Sequence, residues 1–590
     1  MKGLHQAQGN DVELLHQQLE AMEAADFLVA YLEQIGVEYV FGVPGGAIEP
    51  LYNALARSAR RGGPRAIVAR HEAGAAFMAD GYARETGKLS VCCATSGPGA
   101  TNLITGVACA YENEIPMLVI TGQPSLLLQG KGAFQETSGA GVDTDAMFRA
   151  CTRYSALVSH AEQLERKLIH ALLSAYQPTP GPTHLSIPVD VLRSKFKQGP
   201  AYDLANLMRV PSFVDNTAVQ ELYEHLKQSH RVVVLIGSGC GEGIEEILEL
   251  VERIAAAFVV TPDAKGFISP RHPLYCGVFG FAGHSSAVDA MNDPQVDLIL
   301  VVGTSLGEWT SNGWDESLLN ERLIHIDACE EHLTHSPMAR LHVRGNIKRV
   351  FMRLLTSMRK DGGDEVPSLG ERRRFRKLSV DDPYKSSSPS APIKPQYLMR
   401  ELGWRSPPDT RFLADTGTST IWAIHHLGMH DHQASSSSGG WMRVTMSFAP
   451  MGWAIGGAVG TSLAKRESPV VCITGDGSML MNGQEMTVAL TEQLTVVFVI
   501  LNDSALGMVK HGQRLAGAEQ IGVELPLVNF GLMAESLGIP SHVIHTAEEF
   551  EGLDLDAIFA RPGPTVLDIR VDKDEVPPMG LRLKVLRAMQ

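Results

Sequence analysis

Three things are scarce in this chain of 590 residues. No apolar run is long enough to cross a bilayer, which argues against a helical membrane protein. Basic residues are outnumbered, 51 Lys and Arg against 66 Asp and Glu, and a net charge of −15 speaks against nucleic acid or an anionic membrane as the main partner. Cysteine is sparse, eight in all, with no Cys-x-x-Cys pairing. Several, such as Cys92, Cys93 and Cys472, sit inside apolar runs and read as reduced, buried side chains of a cytoplasmic protein. Residues 1–20 are polar and carry Asp and Glu, so a loosely held extension is expected there rather than a secretory signal or transit peptide.

What remains is an ordinary globular composition, 44% hydrophobic and 20% charged, at a length that predicts three domains. Strand-like and helix-like segments alternate from Glu20 onward, the pattern of doubly wound parallel sheets. The boundaries read as a first domain over 21–195 and a second over 215–358. A charged, Ser- and Pro-rich linker follows over 359–393, then a third domain over 394–575 and a tail over 576–590. Pro178 to Thr183 and Pro188 punctuate the end of the first domain. Gly237-Ser-Gly-Cys-Gly241 lacks the full spacing of a dinucleotide fingerprint.

The most informative stretch is Val470 to Met508. An apolar run to Thr474 reads as a buried strand, Gly475-Asp476-Gly477-Ser478 as a turn, and the spacing of Met481, Met486, Ala489 and Leu490 as a helix. A second apolar run, Leu494 to Leu501, ends in Asn502-Asp503. Ligands bind at the carboxyl ends of such crossover strands, and here those ends carry Asp476 and Asp503. Two carboxylates beside glycine amides suit a divalent cation bridging to a diphosphate; two turn-forming aspartates are the plain alternative.

This stretch resembles the thiamine diphosphate motif, in which Gly-Asp-Gly is followed about two dozen residues later by Asn or a paired polar residue. Residues 478 to 502, twenty-five in all, separate Gly477 from Asp503. The resemblance implies Mg2+ held by Asp476, Asp503 and the carbonyl of Ala505, although the family more often has Asn where Asp503 stands.

Other segments carry a wider resemblance. Arg70-His-Glu-Ala-Gly-Ala-Ala-Phe-Met-Ala-Asp-Gly-Tyr-Ala-Arg84 is similar to the acetolactate synthase segment whose glutamate bonds the cofactor's pyrimidine, which implies Glu72. By itself, Glu72 reads as a carboxylate favoured by a helix N-terminus. Such an acid bonded to N1′ favours the imino tautomer, which removes the thiazolium C2 proton. Phe41 to Ala47, Ala94 to Leu103 and Gly132 to Glu136 resemble three active-site loops in the same order, implying a Gly46 amide and a Gln135 side chain near the reacting carbonyl. Asp415-Thr-Gly-Thr-Ser419 matches the diphosphate loop, implying Gly417, Thr418 and Ser419; Ala449-Pro-Met-Gly452 implies Met451 beneath the cofactor. Gly475, Gly477, Ser478 and Met508 join the cofactor set, and His511 is either an acid–base group or a surface histidine. His425-His426 reads as structural.

Over roughly residues 20 to 575 the chain resembles the acetolactate synthase large-subunit family. The resemblance implies an α/β fold of three doubly wound parallel-sheet domains: pyrimidine-binding, central and diphosphate-binding. It implies a carboligase that decarboxylates a 2-keto acid such as pyruvate and passes the two-carbon unit to a second keto acid or aldehyde. It implies a homodimer or homotetramer with active sites at the subunit interface. A decarboxylase, oxidase or acyltransferase using the same cofactor, and a non-catalytic homologue, are the alternatives. Two departures stand out. Biosynthetic members bind FAD through an Arg-containing segment where this chain has Gly303 to Thr310, which leaves FAD open; and Gly512 replaces a tryptophan of the acceptor pocket.

Overall fold

The computed structural model describes residues 22–139, 141–196, 201–204, 208, 212–360, 378–387, 389–428 and 439–580. The expected extension 1–20, most of the linker, residues 429–438 and the end of the tail lie outside these.

Three six-stranded sheets, parallel throughout, form the frame. Their central strands are continuous apolar runs, such as Val232–Ile236, Val470–Gly475 and Val496–Asn502, because helices cover both faces. Numbered within its own sheet, the strand order is 2-1-3-4-6-5 in the first and third and 3-2-1-4-5-6 in the central one. The order therefore reverses between Tyr39–Gly42 and Ser90–Ala94 in the first sheet. It reverses between Val232–Ile236 and Leu298–Val302 in the central sheet, and between Arg411–Ala414 and Val470–Gly475 in the third. Such reversals leave a crevice at the carboxyl ends of the strands.

Where Pro178 to Thr183 and Pro188 read as punctuation, residues Pro182–Pro188 form a fully buried strand paired with both Met117–Gln123 and Tyr154–Leu157. The prolines stand at its two ends, where a missing N–H costs the ladder least. An antiparallel pair, Met22–Glu23 with Lys195–Phe196, closes the domain beneath it.

By contacts the chain forms two units: Met1–Ala83 with Lys88–Val210, and Arg84–Gly87 with Pro211–Gln590. Within the second unit the central and third sheets share one buried core, in which Val302 and Phe281 belong to the same cluster as Phe412, Ile421 and Trp441. The turn after central strand Ala257–Val260 makes this join. Trp441 N donates to Gly266 O at 2.9 Å, and a Cβ on Gly266 would stand 2.2 Å from Met442 O. The tail expected from residue 576 begins as a packed segment, since Met579 is buried in that core.

Candidate functional site

In the first unit Glu72 opens the helix Glu72–Thr86 at the carboxyl end of strand Arg65–Val68. His71 Nδ1 accepts from Ala73 N at 3.1 Å and turns the chain into that helix. Glu72 is 9% exposed, and its Oε2 accepts from Asn102 Nδ2 at 2.9 Å. Asn102 lies on the helix Pro98–Glu112, which starts from Gly97 at φ 65° with proline in its first turn. A Cβ on Gly99 would stand 2.9 Å from Thr95 Cγ2 and 3.3 Å from Glu72 Oε1, so the small residue is what lets this helix reach the acid.

Thr95 also orders the neighbouring loop. Its Oγ1 accepts from Ala47 N at 3.3 Å, and its Cβ would meet a Cβ on Gly45 at 2.6 Å. A Cβ on Gly46 meets no atom within 4 Å among the described residues, so space stands open beside this loop. Gln135, at φ 55°, packs its Cβ against Gly97. Glu72, Gly46 and Gln135 thus gather around the reversal point of the first sheet.

In the second unit the reversal point of the third sheet carries the acidic pair. Asp476 is the first residue of helix Asp476–Asn482, and Gly477 N donates to its Oδ1 at 2.7 Å. Asp503 follows strand Val496–Asn502 and accepts from Ala505 N at 3.1 Å through Oδ1. Ser504, at φ 56°, turns the loop, and two backbone bonds clamp it: Leu506 N to Val523 O and Leu525 N to Ser504 O, each 2.8 Å. Burial pushes Asp476 up to about 6; burial and then the charge of Asp476 push Asp503 up to about 7. Asp476 Oδ2 is buried with no hydrogen-bond partner among the described residues. Two desolvated, mutually repelling carboxylates with a buried oxygen unmatched are a donor set that fits a hard divalent cation.

The remaining candidates surround this pair. Gly417, at φ 130°, caps helix Thr418–His426, and a Cβ there meets no atom within 4 Å among the described residues. Free amides at the helix start beside such open space suit a diphosphate. A Cβ on Gly507 would lie 2.7 Å from Asp503 Oδ2 and 3.1 Å from Thr418 Cγ2, which places Thr418 beside the acidic pair. Met451 Cε lies 3.2 Å from a Cβ built on Gly477. Ser478 is buried beside Asp415, while a Cβ on Gly475 meets no atom within 4 Å among the described residues. The Ser419 hydroxyl is committed to Asp415 O at 2.7 Å, leaving that residue its amide. Met508 packs against the core, and His511 is buried on helix Gly507–Leu515, its Nδ1 unbonded among the described residues, so it is no surface histidine.

Two partners escaped the sequence reading. Asn102 is one. The other is Asp415, fully buried, whose carboxylate accepts from Gly452 N at 2.9 Å, Ala454 N at 3.1 Å and Thr474 Oγ1 at 3.0 Å. It thereby ties the Met451 loop, with Ala449 at φ 47° and Gly452 at φ 88°, to the strand that leads to Asp476. A single Asp before Thr-Gly reads as a turn residue, which hides this role.

The central crevice differs. Gly239 N donates to Gly303 O at 2.9 Å, Cys240 N to Gly237 O at 3.2 Å, and Cys240 Sγ to Val302 O at 3.2 Å. Amides that would cradle a dinucleotide phosphate are spent on the chain itself, and the following segment buries Leu306 and stacks Trp309 on Phe281 at 3.9 Å.

The chain matches three thiamine pyrophosphate enzyme domains: the N-terminal TPP binding domain over residues 22–144, the central domain over 219–354 and the C-terminal TPP binding domain over 415–569. It is 30% identical over 575 residues to the acetolactate synthase large subunit of Haemophilus influenzae, covering 96% of this chain and 97% of that one. It is 30% identical over 559 residues to the isozyme 2 large subunit of Escherichia coli K12, covering 94% and 96%. The isozyme 1 large subunit of the same organism is 29% identical over 553 residues, covering 93% and 94%.

Proposed function

Because the chain belongs to the acetolactate synthase large-subunit family of thiamine diphosphate enzymes, we propose that it decarboxylates pyruvate or a related 2-keto acid and transfers the two-carbon unit to a second keto acid or aldehyde. The observation that carries this reading is the buried Glu72, held by Asn102 at a helix start at the carboxyl end of its strand.

When bound, the cofactor supplies a carbon nucleophile that can add to a ketone. The chain's own residues do the rest. Asp476, Asp503 and the Ala505 carbonyl would hold Mg2+, whose charge offsets the repulsion between the two acids. The amides at Gly417, Thr418 and Ser419 would receive the diphosphate, with Gly475, Gly477 and Ser478 bordering it. Met451 would support the cofactor from below, with Met508 nearby. Glu72 would hold a proton at the pyrimidine N1′, its acid oriented by Asn102. Gly46 and Gln135 would polarise the keto oxygen and His511 would relay a proton beside it.

Glu72 and the acidic pair would meet across a homodimer or homotetramer interface, each site using two chains. The eight cysteines, all buried and none in a disulfide, support a cytoplasmic setting. The reading needs no FAD, in keeping with the spent amides of the central crevice. Mass-resolved product analysis over a panel of 2-keto acids, with and without added FAD, tests it. Acetolactate or a homologue from pyruvate supports the proposal; acetaldehyde or acetyl phosphate would assign a different reaction, and no turnover a non-catalytic role.

A further inference from the structure

The helix that would receive the diphosphate has a second buried end. Its last turn and the residue after it present three carbonyls, Ala423 O, Ile424 O and Leu427 O, and the ammonium of Lys265 donates to all three at 2.8, 2.8 and 2.5 Å. Lys265 comes from the central domain, in the turn Pro262–Phe267, and is 5% exposed. Among the described residues no carboxylate pairs with it. The groups around it are the ring of Trp441, whose centroid is 5.9 Å away, and the histidines His284, His425 and His426. Burial lowers all three histidines, which leaves them neutral. Asp381 lies 3.7 Å from His425 Nε2 at the far side of that cluster, and Lys385 adds a positive field at His426.

The same turn of helix is fastened from the central domain by two more bonds. His284 Nε2 donates to His425 O at 3.0 Å, and His425 Nδ1 donates to Ala282 O at 3.1 Å. Three bonds to one cation orient the final carbonyls, and the cation matches the negative end of the helix dipole. A helix of nine residues spans about 13 Å, so a buried positive charge at its foot is felt at its head, where low-dielectric surroundings screen it little.

We propose that Lys265 is a positioning residue for the cofactor: from the central domain it fixes the far end of helix Thr418–His426 and adds positive potential at the amino end that takes the diphosphate. This rests on the thiamine diphosphate reading above. It also gives the central domain a task, bracing the diphosphate helix, that its closed crevice does not supply.

The charge gives the test its discriminating readout. Burial pushes the Lys265 ammonium down to about 7, so its protonation changes where binding is measured. Thiamine diphosphate binding is followed by calorimetry at saturating Mg2+, which keeps the metal-site carboxylates ionised, in wild type and Lys265→Met. At pH 6.5 the variant binds about tenfold more weakly, with KM for pyruvate unchanged at saturating cofactor. A tenfold effect equals one pKa unit, so the ratio of dissociation constants shrinks toward one by pH 9, where wild-type Lys265 is neutral. A ratio independent of pH, or dissociation constants within twofold at pH 6.5, overturns the proposal. Should Lys265→Met fail to fold, wild type alone decides: its affinity must weaken about tenfold from pH 6.5 to 9, and a flat profile overturns the proposal. Asp476→Ala serves as control, because wild type that never binds the cofactor defeats the functional reading itself.

Discussion

Replacing Asp415 should cost more than its unremarkable place in the sequence suggests. Its carboxylate accepts from two buried amides, Gly452 N and Ala454 N, and from the buried hydroxyl Thr474 Oγ1, which also reaches Gly475 O at 3.5 Å. Asp415→Ala leaves the two amides unmatched, at about 1–3 kcal/mol each, so a loss of about 2–6 kcal/mol is expected. Thr474→Val removes one donor with its share of the bond and should cost about 1 kcal/mol. Asp415→Asn keeps the volume but turns an amide N–H toward donors, for about 2 kcal/mol. For a domain of this size each kcal/mol shifts the melting midpoint about 2–4 °C, so Asp415→Asn should melt about 4–8 °C lower. Because the Met451 loop and the strand before Asp476 share this anchor, cofactor affinity should fall along with stability, by about tenfold or more in Asp415→Asn. Melting scans with and without thiamine diphosphate and Mg2+ read both quantities. An Asp415→Ala protein that melts like wild type refutes the hydrogen-bond reasoning; one that melts early yet binds cofactor normally refutes the link to the site.

Other outcomes follow from the same geometry. His184 is fully buried between Thr121 and Ser155, and burial holds it down to about 3. The unfolded chain takes up that proton below about 6.5, so the stability His184 contributes is complete above that pH and is lost as pH falls toward 3. Unfolding free energies from urea titrations should therefore fall more steeply below about pH 6.5 in wild type than in His184→Asn, approaching about 1.4 kcal/mol per pH unit by pH 5, and parallel curves would reject this. Glu72→Gln should bind cofactor and lose about 10²–10⁴-fold in turnover; full activity would remove Glu72 from the chemistry. Co-expression of Glu72→Gln and Asp476→Ala chains should restore about one quarter of wild-type activity, since half the dimers are mixed and one of their two sites is intact. No recovery in purified mixed dimers would rule out sites shared between chains.

Much of the frame was legible because its physics is local. Strands such as Val232–Ile236 and Val470–Gly475 announce themselves as unbroken apolar runs between glycine turns, and the spacing from Asp476 to Asp503 survives folding as two adjacent strand ends. What stayed hidden depends on neighbours distant in the chain. Pro182–Pro188 looked like punctuation, since only its burial between two other strands makes it a strand. Met442–Arg443 is two residues long and is defined by its partner Arg411–Ala414. Asn102, Asp415 and Lys265 are ordinary polar residues until the fold buries them against Glu72, the Met451 loop and a helix end. The shared core of the central and third domains has no sequence signature at all, because each sheet alone has a complete strand pattern.

The most direct test is calorimetric titration of the purified protein with thiamine diphosphate in the presence and absence of Mg2+, repeated on Asp476→Ala. The account predicts tight binding that requires Mg2+ in wild type and no detectable binding in the variant. Equal binding by the two proteins, or binding indifferent to the metal, would contradict it.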